Sequence, residues 1–207
     1  MDIKFLTDNA DSWIIPYVEK LKVLIPDAEH IYTTDGMTSG DIIFILSCEK
    51  IIDNKTLKKH KHNVVIHPSD LPEGRGWSPI AWQIIEGKND IVFTAFEAVE
   101  KVDAGDVYIK DTLRLRGDEL NEEIKHLQGM MTIKMVMDFL IKHPKASPQR
   151  PGGTYYKKRT KENSRLDIHK TIADQFNLLR VVDNERYPAY FIHKEKKYTL
   201  KIENESI

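Results

Sequence analysis

The chain of 207 residues is 41% hydrophobic and 30% charged, with a formal net charge of −1. That length suits one soluble domain with a small appendage, and a charge so near zero gives no general attraction to nucleic acid or anionic lipid. The single cysteine, Cys48, excludes an internal disulfide and a cysteine-based metal cluster. With no apolar run of bilayer length and an acidic start, MDIKFLTDNADSW, the expected location is cytoplasmic, away from membranes.

The first element is a short strand, IKFL (3–6). A helix follows with Ile14, Tyr17, Val18, Leu21 and Ile25 on one face and Asp11 or Ser12 as its N-cap. HIYTT is read as an edge strand. DIIFILS (41–47) and VVIH (64–67) are continuous apolar runs, which marks strands buried on both faces of a parallel sheet. Between them, KKHKH (58–62) reads as a solvated helix end, and its two histidines lack the further ligands of a zinc site, so no metal is expected. IAWQIIEG (80–87) is a helix ended by Gly87, and DIVFTAFEAVE (90–100) and DVYIKDTL are strands. From Asp118 a long helix carries Leu120, Ile124, Leu127, Met131, Met135 and Phe139 at helical spacing, its methionines filling core. The expected organisation is a main domain over 1–145, a Pro- and Gly-rich linker over 146–164, and a helix-plus-hairpin extension over 165–207, with its helix at 167–181. Strands alternating with helices predict an α/β fold, a Rossmann-like, mostly parallel sheet flanked by helices, with a small α+β tail.

Chemistry is expected after the strand VVIH. His67 ends a buried strand, Pro68 holds it in extended backbone, and HPSDLPEGRGWSP (67–79) is too rich in Gly and Pro to be helix or central strand. A lone histidine is ordinarily a hydrogen-bonded core or surface ring; the carboxyl end of a strand is where α/β proteins place reactive groups. Asp103, in the turn VDAG, is ordinary turn chemistry by itself. The strand before it is read as running parallel to and beside the strand of His67, so its carboxylate can reach the same cleft, and an imidazole paired with a carboxylate suits a general acid or oxyanion donor. No Gly-x-Gly-x-x-Gly follows the first strand, which disfavours a nicotinamide-binding protein.

HPSDLPEGRGWSPIAWQIIEG followed by VDAGDVYI resembles the folate-dependent formyltransferase family, with His67, Ser69, Leu71, Pro72, Gly76, Pro79, Asp103 and Gly105 falling in order on its pattern. The resemblance implies attack of an amine on the formyl carbon of 10-formyltetrahydrofolate, with no metal and no covalent enzyme intermediate. In it His67 donates to the tetrahedral oxyanion, and Asp103 holds His67 and helps remove the amine's proton. The pterin is implied to lie against Lys50, Ile51 and Ile52 on one wall and Val99, Glu100 and Val102 on the other. One departure stands out: the family has Asn two residues before the histidine, and this chain has Val65. Asn63 is four residues from His67, roughly 13 Å along a strand, and cannot substitute unless the strand bulges. Ser69 or a backbone amide of the loop is the candidate replacement donor.

The run RTKENSRLDIHKTIADQFNLLRVVDNERYPAYF (159–191) is similar to the tail of the sugar-nucleotide N-formyltransferases, and the loop to their pseudaminic acid pathway type. The implied acceptor is a UDP- or dTDP-linked 4-amino-4,6-dideoxy sugar. Arg75, Trp77, Tyr155, Tyr156, Lys158 and Arg159 are the residues assigned to it, arginine for its paired donors to phosphate and tyrosine for stacking. The subgroup also implies a homodimer. A glycinamide ribonucleotide formyltransferase-like enzyme, and a non-catalytic folate- or nucleotide-binding module, are the alternatives.

Overall fold

The computed structural model describes residues 1–205, so the last two residues of the expected tail lie outside the described residues. The chain opens with β1 (Ile3–Leu6), α1 (Ile15–Leu24), β2 (Glu29–Ile31) and β3 (Gly40–Ile45). It continues through α2 (Asn54–Leu57), β4 (His60–His67), the two-residue β5 (Arg75–Gly76), α3 (Pro79–Ile85) and β6 (Asp90–Glu97). β7 (Val107–Arg114) leads into the long α4 (Asn121–Lys142), then β8 (Tyr155–Tyr156), α5 (Phe176–Arg180) and the hairpin β9 (Ala189–His193) and β10 (Lys196–Leu200).

Six strands make one sheet in the order β2-β1-β3-β4-β6-β7. The three pairings among β2, β1, β3 and β4 are parallel; β4–β6 and β6–β7 are antiparallel. The sheet is mixed, mostly parallel and flanked by helices, as the alternating elements predict. Successive strand residues point to opposite faces. Phe5 and Phe44 therefore pack with Val18 and Leu21 of α1 and with Val136 and Phe139 of α4. Their neighbours Leu6, Ile43 and Ile45 meet Leu57 of α2 and Met37 in a second, smaller cluster. Among the described residues no helix is long and apolar enough to cross a membrane.

Four expectations are corrected. β6 runs antiparallel, not parallel, to its neighbour β4, because the crossover through α3 is a return rather than a right-handed βαβ unit. Residues 60–62 are the start of β4, not a helix end; α2, capped at its start by Asp53 accepting from the Thr56 amide at 2.8 Å, stops at Leu57. α1 begins at Ile15, with Pro16 in its first turn and no side-chain cap, so neither Asp11 nor Ser12 caps it. Of the helix expected at 167–181 only α5 and a short turn of tighter helix at Ala173–Gln175 form. α5 is nonetheless well anchored. Arg180, 1% exposed, pairs with buried Glu119 at 3.1 Å and donates to Asn89 and Asn177.

The first residue of β4 carries a pH liability. His60 is buried, and both ring nitrogens are buried without a hydrogen-bond partner. Burial, then the nearby Lys4 ammonium, holds its pKa below the ordinary 6.5. The unfolded chain thus binds a proton that the folded one refuses, so stability is full above pH 6.5 and declines as pH falls from there toward the folded-state value. Thermal melts between pH 7 and 5 are expected to show this decline, and His60→Leu is expected to flatten it.

Candidate active site

β4 delivers His67 to its C-terminal end, 7% exposed, with Phe96 edge-on to the ring at 6.4 Å between centroids. Because β6 is antiparallel, its own end at Glu97 pairs with Val64, and His67 pairs with Thr94. The chain after Glu97 must fold back to bring Asp103 to the histidine. Two backbone positions make that turn. Gly105 packs its Cα so tightly on the Glu97 carbonyl that a Cβ would fall far inside van der Waals contact. Asp103 itself has φ +52°, a left-handed conformation that costs a non-glycine residue of order 1 kcal/mol and persists only where its surroundings enforce it.

They do enforce it. Asp103 Oδ2 accepts from the Gly76 amide at 2.7 Å and lies 3.8 Å from His67 Nε2. Its carbonyl accepts from Arg75 Nε at 3.1 Å and from Gln149 Nε2 at 3.0 Å. His67 Nε2 also sits 2.9 Å from the Gly74 carbonyl. A carbonyl only accepts, so Nε2 carries the proton; Nδ1 has no partner among the described residues. The neutral ring therefore offers a lone pair at Nδ1, and the protonated ring offers a donor there, while the Asp103 carboxylate lies on the Nε2 side.

The pair opens on a cavity of about 630 Å³, well within the size of small-molecule sites. Lys50, Ile51 and Ile52 line one part of it; Val99, Val102 and Asp103 line another, and Trp77, Lys158 and Arg159 lie on its wall. The Asp8 carboxylate fixes the first wall by accepting from the amides of Glu49 and Lys50, both at 2.7 Å. Cys48 lines it too, its thiol pushed up to about 12 by burial and by Asp8, which leaves it protonated and unreactive. Val65 faces the cavity as an apolar group. Asn63 does not approach it: the side chain is spent on the Leu57 carbonyl and Glu97.

Five expected site residues lie outside the lining. Ser69 is buried beneath the loop, 1% exposed and packed against Gly74, so its hydroxyl does not face the cavity where the missing Asn donor would stand. Arg75 spends its guanidinium on Asp103 and Gln149. Tyr156 stacks on Trp82 and donates to Glu86 at 2.7 Å; Tyr155 packs edge-on against Trp77, over half exposed. Glu100 accepts from Asn54 at the surface. Conversely, one face of α4 supplies Asn121, Lys125, Gln128 and Thr132 to the cavity. Their spacing of four, three and four residues puts them on one face of the helix, a signal present in the sequence. Ser78, with φ +52°, and Arg186 and Tyr187 beyond α5 also line it.

A model of the formyl transferase family matches residues 26–130, just over half of the chain and including His67 and Asp103. The chain belongs to the formyl transferase family. A methionyl-tRNA formyltransferase from Lactobacillus acidophilus is 28% identical over 150 residues, covering 70% of this chain and 48% of the relative. The chain thus spans about half the length of the curated relatives it matches first. Among solved structures, a methionyl-tRNA formyltransferase from Clostridium thermocellum superposes with a TM-score of 0.85 at 23% identity, over all of this chain and 94% of the other. A sugar N-formyltransferase from Shewanella sp FDAARGOS_354 superposes with a TM-score of 0.71 at 15% identity, over 100% and 99%. At these identities the superpositions establish a shared fold.

Proposed function

We propose that the protein transfers the formyl group of 10-formyltetrahydrofolate to the amine of a nucleotide-linked amino sugar. The observation that carries the chemistry is the His67–Asp103 pair, 3.8 Å apart at the wall of one cavity. The pterin is assigned to the part between Lys50–Ile52 and Val99–Val102, which places the formyl carbon near His67. The amine's lone pair attacks that carbon, forming the new C–N bond, and the carbonyl oxygen becomes an oxyanion. His67, protonated at Nδ1, donates to it. Asp103 Oδ1, which has no partner among the described residues, takes the proton leaving the amine, through a water where needed. Collapse of the intermediate breaks the bond to the cofactor nitrogen, which leaves with the proton that Asp103 took from the amine, so the carboxylate is restored. Positioning and a preorganised donor supply the acceleration, and no side chain needs to become a nucleophile.

The acceptor reading rests on Arg159. Its Nη1 donates to the Val181 carbonyl at 2.9 Å, while Nε and Nη2 are buried with no partner. A guanidinium removed from water without a counter-charge is unfavourable unless an anion joins it, and Lys158 and Arg186 line the same cavity. A diphosphate fits that demand. Arg159→Met is expected to raise the KM for such an acceptor at least about tenfold, the worth of a charge-assisted hydrogen bond, with kcat nearly unchanged. The same variant should melt no lower than wild type, since it removes an unpaired buried charge. A lower melting point with unchanged KM would reassign Arg159 to structure.

A second acceptor, methionyl-tRNA, is favoured by the names of the curated relatives. Supplying 10-formyltetrahydrofolate with UDP- and dTDP-4-amino-4,6-dideoxy sugars, glycinamide ribonucleotide and methionyl-tRNA in parallel separates the readings. Tetrahydrofolate release only with a sugar nucleotide supports the proposal, and release only with methionyl-tRNA replaces it.

A further inference from the structure

We infer that Gln149 and Arg75 form a latch that sets the position of Asp103, so that both act on turnover without touching either substrate. The inference rests on the formyl-transfer reading for its kinetic consequence and on geometry alone for the latch itself. Gln149 lies in the segment between α4 and β8, far from the site in sequence. Its Nε2 donates to two carbonyls of one turn, Asp103 at 3.0 Å and Gly105 at 2.7 Å. Its Oε1 accepts from Arg75 Nη2 at 2.8 Å, and Arg75 Nε donates to the same Asp103 carbonyl at 3.1 Å. The two side chains therefore converge on the carbonyl of a residue held at φ +52°, and Gln149 also holds the carbonyl two residues on.

Three consecutive residues connect this bracket to the histidine. The Gly74 carbonyl receives His67 Nε2, the Arg75 side chain holds the Asp103 carbonyl, and the Gly76 amide holds the Asp103 carboxylate. That tripeptide is in turn paired with β8, Arg75 opposite Tyr155 and Gly76 opposite Tyr156. The separation of imidazole and carboxylate is thus fixed by a strand pair whose Arg75 side chain is braced by Gln149. Neither Arg75 nor Gln149 lines the cavity. An arginine that binds nothing but a glutamine and a carbonyl, with no carboxylate partner among the described residues, is placed for its two directed N–H groups rather than for its charge.

The test is a double-mutant cycle with steady-state kinetics, using Gln149→Leu, Asp103→Ala and the pair, with 10-formyltetrahydrofolate and whichever acceptor the wild type uses. Gln149→Leu should lower kcat about tenfold to a hundredfold while each KM stays within about threefold, because only the carboxylate's aim is lost. In the Asp103→Ala background the same substitution should cost less than about twofold, since no carboxylate remains to be aimed. An equal loss in both backgrounds, or no loss in the wild type, overturns the latch. If the wild type consumes no cofactor with any amine, the functional reading has failed, and amide hydrogen exchange decides the latch independently. Gln149→Leu should then raise exchange at the Gly76 amide at least about tenfold and leave β3 and β4 unchanged. Unaltered Gly76 exchange, or a general rise across the sheet, overturns it. Arg75→Lys should behave as Gln149→Leu does, because one ammonium cannot reach both acceptors.

Discussion

His67→Gln is expected to lower kcat about a thousandfold, equivalent to about 4 kcal/mol of transition-state stabilisation, while substrate binding and melting temperature change little. The reasons lie in how the ring is held. Glutamine's amide can still donate to the Gly74 carbonyl, which is what Nε2 does in the wild type, so the loop keeps an anchor. What glutamine lacks is any group where Nδ1 stands, the one ring nitrogen with no partner among the described residues. The lost volume lies beside Phe96 and costs less than a full core truncation, because the site borders the cavity. Rapid-quench kinetics with calorimetric binding of the cofactor separate the effects. A thousandfold fall in kcat with an unchanged dissociation constant matches the proposed role. Proportional weakening of cofactor binding would instead make His67 a binding residue.

Gly105→Ala, two positions from the carboxylate, is expected to lower kcat about a hundredfold. The new methyl would be driven onto the Glu97 carbonyl, at the end of a central strand where the backbone yields little. The turn must move instead, and displacement of a catalytic group by about 1 Å is enough for a loss of that size. Asp103→Asn provides the comparison. Asparagine tolerates the left-handed conformation and can accept from the Gly76 amide as aspartate does, so the fold should be kept while the charge beside His67 is lost. A kcat reduced by about two to three decades with a melting point within a few degrees of wild type is the expected result. If Gly105→Ala retained more than half of wild-type activity, the geometry of the turn would not matter as argued.

Much of this was legible from residue order. The apolar runs at 41–47 and 64–67 announced the buried centre of the sheet, and Gly87 marked the end of α3, where it adopts φ +89°. The pattern from His67 to Gly105 pointed to both members of the pair. What the sequence withheld was direction. Nothing in DIVFTAFEAVE distinguishes a parallel from an antiparallel strand, since both faces are buried either way, so the expected route of Asp103 to His67 was wrong although the two residues do meet. Arg75, Tyr155 and Tyr156 look like ligand contacts because arginine and tyrosine are the residues that bind phosphates and rings. Their partners, Gln149, Trp77, Trp82 and Glu86, are tens of residues away or of neutral character, and only the folded chain shows those groups already engaged. The stripe on α4 was readable, but the apolar face of the same helix is the stronger periodic signal and masked it.

The most direct measurement follows an isotopically labelled formyl group from 10-formyltetrahydrofolate, by NMR, in the presence of the acceptor panel. The wild type should move the label into an N-formyl group on a nucleotide sugar, one for each tetrahydrofolate released, and His67→Gln should leave it on the cofactor. Label that stays on the cofactor with every amine offered to the wild type, or that appears covalently on the protein, would contradict direct transfer at the His67–Asp103 pair.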